Sequence, residues 1–189
     1  WAHAIGVKYV SVEKTVFAKQ SLRYIDPYPP VYDMLLGILH QTNDSVYWTL
    51  KFFNALIISL SIIFFFFFAK EILGKNKALF SAFAIASVPA FLSHFIWAIA
   101  LTIPLYFVSF YAAERIKHDK KWLFVAAIMT GATLTISPSH SVYFGLFFII
   151  YYIAKAVSEK NVLVYHVAAG FSGLLISFFL WWLPSIIRH

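Results

Sequence analysis

Three carboxylates and a scattered set of histidines are the side chains of this sequence best suited to chemistry. Glu13, Asp26 and Asp33 precede the first long apolar stretch, and the seven histidines run from His3 to His189. A carboxylate held beside an acceptor hydroxyl or amide can orient or deprotonate it. An imidazole can bind phosphate as a cation, act as an acid or base, or ligate a metal. His94 and His140 occupy two short turns between apolar segments, the latter within Ser137-Pro138-Ser139-His140-Ser141. No HxxxH or HxxE spacing occurs, so any metal site must be assembled from separate loops. Each residue also has an ordinary reading. Asp26 before Pro27 starts a turn, a histidine at a helix end satisfies the terminus, and Ser137 to Ser139 suit a turn and N-cap. Asp44 falls among N-cap candidates at the start of a helix, and Asn43-Asp44-Ser45 also matches a glycosylation acceptor.

The elements that must position these groups are apolar helices. Residues 54–69, NALIISLSIIFFFFFA, carry no charge, and with Phe52 and Phe53 the run approaches the roughly 20 residues that cross a hydrocarbon layer. Five more charge-free stretches follow, at 78–92, 95–112, 122–136, 142–154 and 162–183. With 61% hydrophobic and only 12% charged residues, the chain has too little polar surface for a soluble globule. The expected fold is therefore all-α, a polytopic transmembrane bundle of about six membrane helices behind an external amphipathic N-terminal segment. We divide it into an external segment, 1–45, and a bundle, 46–189. The absence of Cys removes disulfides and thiolate metal sites. The net charge of +7 sits between apolar segments, where it sets orientation rather than attracting nucleic acid.

Lys and Arg alternate by side. Connections 70–77, 114–121 and 155–161 are basic, whereas the turns at 93–94 and 137–141 contain no Lys, Arg, Asp or Glu. The positive-inside rule makes the basic connections cytoplasmic and places residues 1–45 outside, with a prokaryotic cell membrane as the expected location. The stretches at 78, 122 and 142 are short for spanning, and their polar ends would have to snorkel or be sheathed by protein. Pro89 and Pro104 predict helix ends or kinks. In the external part, residues 1–20 read as an interfacial amphipathic helix. Asp26-Pro27-Tyr28-Pro29-Pro30 must be extended, and 31–39 reads as a short interfacial helix. The chain starts at Trp1 and reads as an internal fragment.

Tyr28-Pro29-Pro30-Val31-Tyr32, then an interfacial helix, then a long helix ending at Lys70-Glu71-Ile72-Leu73-Gly74-Lys75, resembles the GT-C superfamily of integral-membrane glycosyltransferases. The stretch from Ala78 to Pro89 is similar to that superfamily's third helix. The superfamily includes oligosaccharyltransferase catalytic subunits and protein mannosyltransferases. The resemblance implies a polyprenyl-phosphate-linked sugar donor used on the outer face, with membrane lipid around the helices and a protein acceptor or membrane partner. It also implies a catalytic Asp in the first external loop, upstream of Trp1, with Trp1-Ala2-His3 continuing that stretch. Glu13, Asp26 and Asp33 are then further catalytic candidates, and Arg23, His94 and His140 candidates for the donor phosphate. The second external turn has Ser93-His94 where oligosaccharyltransferases carry an acidic metal-binding pair, which implies a different subfamily and leaves a divalent metal as an open cofactor. Trp181-Trp182 reads as an interfacial aromatic anchor. The rivals are a transporter and a noncatalytic membrane subunit. No Asp, Glu, Lys or Arg sits in the middle of an expected span, leaving Asn54, Thr102, Thr133 and Thr135 as the polar residues there.

Overall fold

The computed structural model describes residues 2–17, 29–88 and 98–188. Among them every regular element is helical: α1 (Ala2–Glu13), α2 (Val31–His40), α3 (Val46–Leu73), α4 (Lys75–Ala86), α5 (Ile99–Arg115), α6 (Trp122–Thr133), α7 (Pro138–Glu159) and α8 (Val164–Ser177). A π-helical turn, Phe178–Trp182, joins α8 to α9 (Leu183–Arg188). Three helical stretches among the described residues are long and apolar enough to cross a membrane: Val46–Leu73, Pro138–Glu159 and Val164–Arg188. Their large apolar side chains point outward, as in Phe52, Ile63, Val142, Ile150, Phe171 and Leu180. That arrangement suits hydrocarbon as solvent. The chain is an integral-membrane helical bundle.

Local chemistry sets the helix ends. Ser45 caps α3 by accepting the Trp48 N–H at 3.3 Å, while the exposed Asp44 does not cap it. Gly74 separates α3 from α4 with φ 80. Its N–H bonds the Lys70 carbonyl and its own carbonyl accepts from Ala78, so one residue ends a helix and starts the next. Pro138 opens α7, where a missing N–H costs nothing. The segment expected at 142–154 is thereby extended to a 22-residue helix. Pro104 lies inside α5, which continues to Arg115, so it does not end the helix. Pro89 lies outside the described residues.

Two cores hold the bundle. At one end α1 and α2 pack on the starts of α3 and α5, with Val7, Tyr32, Leu36, Leu50, Leu101 and Ile136 buried together. At the other, Ala112, Ile116, Ala126 and Ala169 join α5, α6 and α8. Small residues bring α6 and α8 close: a Cβ on Gly173 would lie 2.6 Å from the Thr130 side chain and 2.8 Å from the Ala127 carbonyl. In lipid, where burial against a neighbour removes no water, such close approach is a main source of helix association. Only 6% of the apolar window of α7 is buried. It is held by Phe144, Phe148 and Tyr151 against Phe110, with ring centroids 5.1 to 6.0 Å apart. Trp181 is buried and stacked on Phe17 at 5.6 Å, so it packs inside the protein rather than serving as an interfacial anchor.

Candidate functional site

The polar chemistry of the α1–α2 end is built around Asp33. It sits in the first turn of α2, turned inward so that only 6% of the residue is exposed. Its carboxylate lies 2.9 Å from His3 Nδ1, across a sequence separation of 30. The imidazole also meets the Tyr32 ring edge-on at 4.9 Å. The Tyr32 hydroxyl donates to Asn54 Oδ1 at 3.0 Å, tying α2 to α3 where both groups are fully buried. Burial pushes the Asp33 carboxyl above the usual carboxylate range, and the hydrogen bond and charge of His3 oppose that rise without cancelling it.

The turn between α6 and α7 stands beside this cluster, since the Val31 N–H donates to the Thr135 carbonyl at 3.4 Å. Ser137 holds the N-cap position of α7 without capping it. Its hydroxyl instead lies 3.2 Å from His140 Nδ1, and that of Ser139 lies 3.3 Å away. The Tyr106 hydroxyl donates to the His140 carbonyl, fixing the turn to α5. Ser141 bonds the carbonyls of Leu134 and Ser137 at 2.9 and 2.8 Å, and Trp182 Nε1 donates to Leu134 at 3.2 Å. His140 is thus a partly exposed imidazole on a backbone braced from three helices.

Of the residues expected to act, Asp33 and His140 share this end. Glu13 is exposed at the close of α1. Arg23, Asp26 and His94 lie outside the described residues. His40 Nδ1 lies 3.2 Å from the buried Thr49 hydroxyl, the helix-end role anticipated for such histidines. The Asn43 amide donates to the same hydroxyl at 2.8 Å, so the potential glycosylation side chain is engaged internally. The mid-span polar groups also satisfy themselves: Thr133 approaches Ser109 at 3.2 Å, Thr135 bonds the Gly131 carbonyl at 3.1 Å, and Thr102 bonds that of Ala98 at 3.4 Å. The described residues contain no group of three His, Asp or Glu arranged to hold a metal.

Sequence reasoning missed two features. The pairing of His3 with Asp33 left no periodic signal, because it joins separate elements. Glu114 and Lys155, expected in solvated connections, are instead inside α5 and α7 and bonded to each other. Glu114 is 4% exposed and also accepts from the Tyr151 hydroxyl at 2.6 Å and from Lys117 at 3.4 Å. A charged residue next to a span is ambiguous by composition, since one more helical turn takes it from solvent to protein interior.

Apolar helices with outward aliphatic and aromatic side chains, carrying an acid, imidazoles and a tyrosine at the α1–α2 end, define an integral-membrane protein. The model of the dolichyl-phosphate-mannose-protein mannosyltransferase family matches residues 27–182, and the chain belongs to that family. It is therefore a membrane glycosyltransferase chain of the GT-C type, from a family using polyprenyl-phosphate-linked sugar donors. Neither the comparison with curated proteins nor that with solved structures gave a match.

Proposed function

We propose that this chain forms part of an enzyme that transfers a sugar or glycan from a polyprenyl-phosphate-linked donor to an acceptor at the α1–α2 end. We assign that end to the extracytoplasmic face of a prokaryotic cell membrane, with residues 1–45 as an external segment over the bundle. The distribution of Lys supports this sidedness: Lys70, Lys75 and Lys77 flank the α3–α4 junction and Lys117, Lys120, Lys121 and Lys160 follow α5 and α7 at the opposite end, while Lys8, Lys14, Lys19 and Arg23 belong to a long segment to which a rule for short loops does not apply.

The observation that carries the site is the His3–Asp33 pair, a buried carboxylate oriented by an imidazole where α1 packs on α2. In the reaction, an acceptor oxygen or nitrogen attacks the anomeric carbon of the donor sugar. The bond from that carbon to the phosphate oxygen breaks, and polyprenyl phosphate leaves with the bonding pair. Asp33 orients the acceptor and takes its proton. Negative charge grows on the departing phosphate, so donors facing it lower the barrier. His140, braced by Ser137 and Tyr106, is our assignment for one of them. Our reading takes a protein as the acceptor, a choice the family's description supports.

The test is transfer of labelled sugar from a series of polyprenyl-phosphate donors by the purified full-length protein, with and without chelator. Transfer that is lost in Asp33→Asn while the protein stays folded supports the assignment. Undiminished transfer in that variant removes Asp33 from the chemistry, and no transfer or donor hydrolysis with any donor overturns the reading.

A further inference from the structure

The basic end of the bundle contains a cleft that the transfer chemistry does not use. It lies between the α5–α6 connection and the α7–α8 connection, closed by the first turn of α8, and measures about 410 Å³. Its polar lining includes Lys117, His118, Lys120, Glu159, Asn161 and His166, with Tyr165 beside Lys120. We propose that this cleft binds a phosphate group, supplied by the headgroup of an anionic phospholipid or by free phosphate.

Three observations converge on that ligand. First, the cations are held in place. The Lys120 ammonium rests over the Tyr165 ring at 4.9 Å, and Lys117 bonds the buried Glu114 at 3.4 Å while keeping 41% of its side chain exposed. Glu114 is already bonded to Lys155, so Lys117 retains charge for a second partner. Second, His166 in the wall is 4% exposed, and its Nε2 has no hydrogen-bond partner. A buried ring nitrogen in that state is costly, and a phosphate group seated in the cleft would supply the partner it lacks. Third, Val164 to His166 begin α8 and line the cleft; the Val164 and His166 N–H groups are bonded to the Val162 and Leu163 carbonyls, so this end contributes the positive pole of a 14-residue helix rather than a row of free donors. The apolar wall from Ile116 and Leu163 and the location at the ends of membrane helices favour the lipid headgroup. Basic pockets at the cytoplasmic ends of membrane helices suit such headgroups.

The experiment uses the purified full-length protein. Native mass spectrometry would follow retention of phosphatidylglycerol, phosphatidylcholine or inorganic phosphate by the parent protein, by K117Q/K120Q and by His166→Gln. Lys75→Gln/Lys77→Gln serves as a charge-matched control at another basic connection. The expected result is one retained phosphatidylglycerol, weakened roughly ten- to thirtyfold in K117Q/K120Q, weakened in His166→Gln, and unchanged in the control. Helix content and elution position identify any variant that has misfolded. Lipid held more tightly than inorganic phosphate assigns the site to a headgroup, and the reverse order assigns it to soluble phosphate. Equal retention of phosphatidylcholine, or equal losses in the cleft and control variants, overturns the proposal.

Discussion

An acid that is 6% exposed ionises at a cost, and His3 reduces that cost at Asp33. Burial raises the carboxyl and the imidazole lowers it, with burial prevailing. If the carboxylate is the base, activity must rise with pH through an acidic limb lying above the usual carboxylate range. Replacing His3 with Gln removes the group that opposes the rise, so the limb moves to higher pH, as a pH–rate profile of sugar transfer would record. Asp33→Asn should lower transfer by about 100-fold or more while leaving helix content unchanged. An unshifted limb in His3→Gln would mean that another group sets it. At this scale the sequence revealed residue types but not partners. Its place in a short turn between apolar segments singled out His140, yet nothing in the spacing of His3 and Asp33 announced a hydrogen bond over 30 residues. The Ser137 hydroxyl was legible as an N-cap and instead serves an imidazole, because cap and ring compete for the same oxygen.

Helices in lipid depend on close fit. Gly173 sits against Thr130 and the Ala127 carbonyl, whereas Gly145 has nothing within 4 Å of an added Cβ. Gly173→Val should lower thermal stability in detergent by about 1–3 kcal/mol. Gly145→Ala should be neutral or slightly stabilising, since alanine is the better helix former. A thermal-shift comparison of the two checks the α6–α8 contact directly. The tie between α5 and α7 is electrostatic as well as aromatic. Glu114→Gln would leave Lys155 with Glu159, 3.5 Å away and half exposed, as its remaining acid, and should cost about 3 kcal/mol in a denaturant or thermal series. Apolar runs made most elements readable in the sequence. The ends were harder to read, because Pro138 at the first position of α7 and the left-handed Lys160 at its close lengthen a helix without adding apolar residues.

For the molecule as a whole, both clusters of basic connections and the acid-bearing cap follow from one direction of insertion. A cysteine replacing the exposed Ser139 should react with an impermeant reagent from outside intact cells, and one replacing Asn76 should react only after permeabilisation. The opposite pattern would invert the membrane orientation and place the Asp33 site inside. The helical fold was legible from composition and charge alternation, whereas the packing of α1 and α2 over the bundle was not, because an amphipathic segment does not specify which surface it covers. One feature of the bundle also acts on its surroundings. The 12 residues of α6 give about 18 Å of helix, against a hydrocarbon layer of about 30 Å. One face of that helix, with Phe124, Val125 and Ile128, is exposed. A bilayer meeting this flank would have to thin locally or tilt its acyl chains to keep the short apolar face covered.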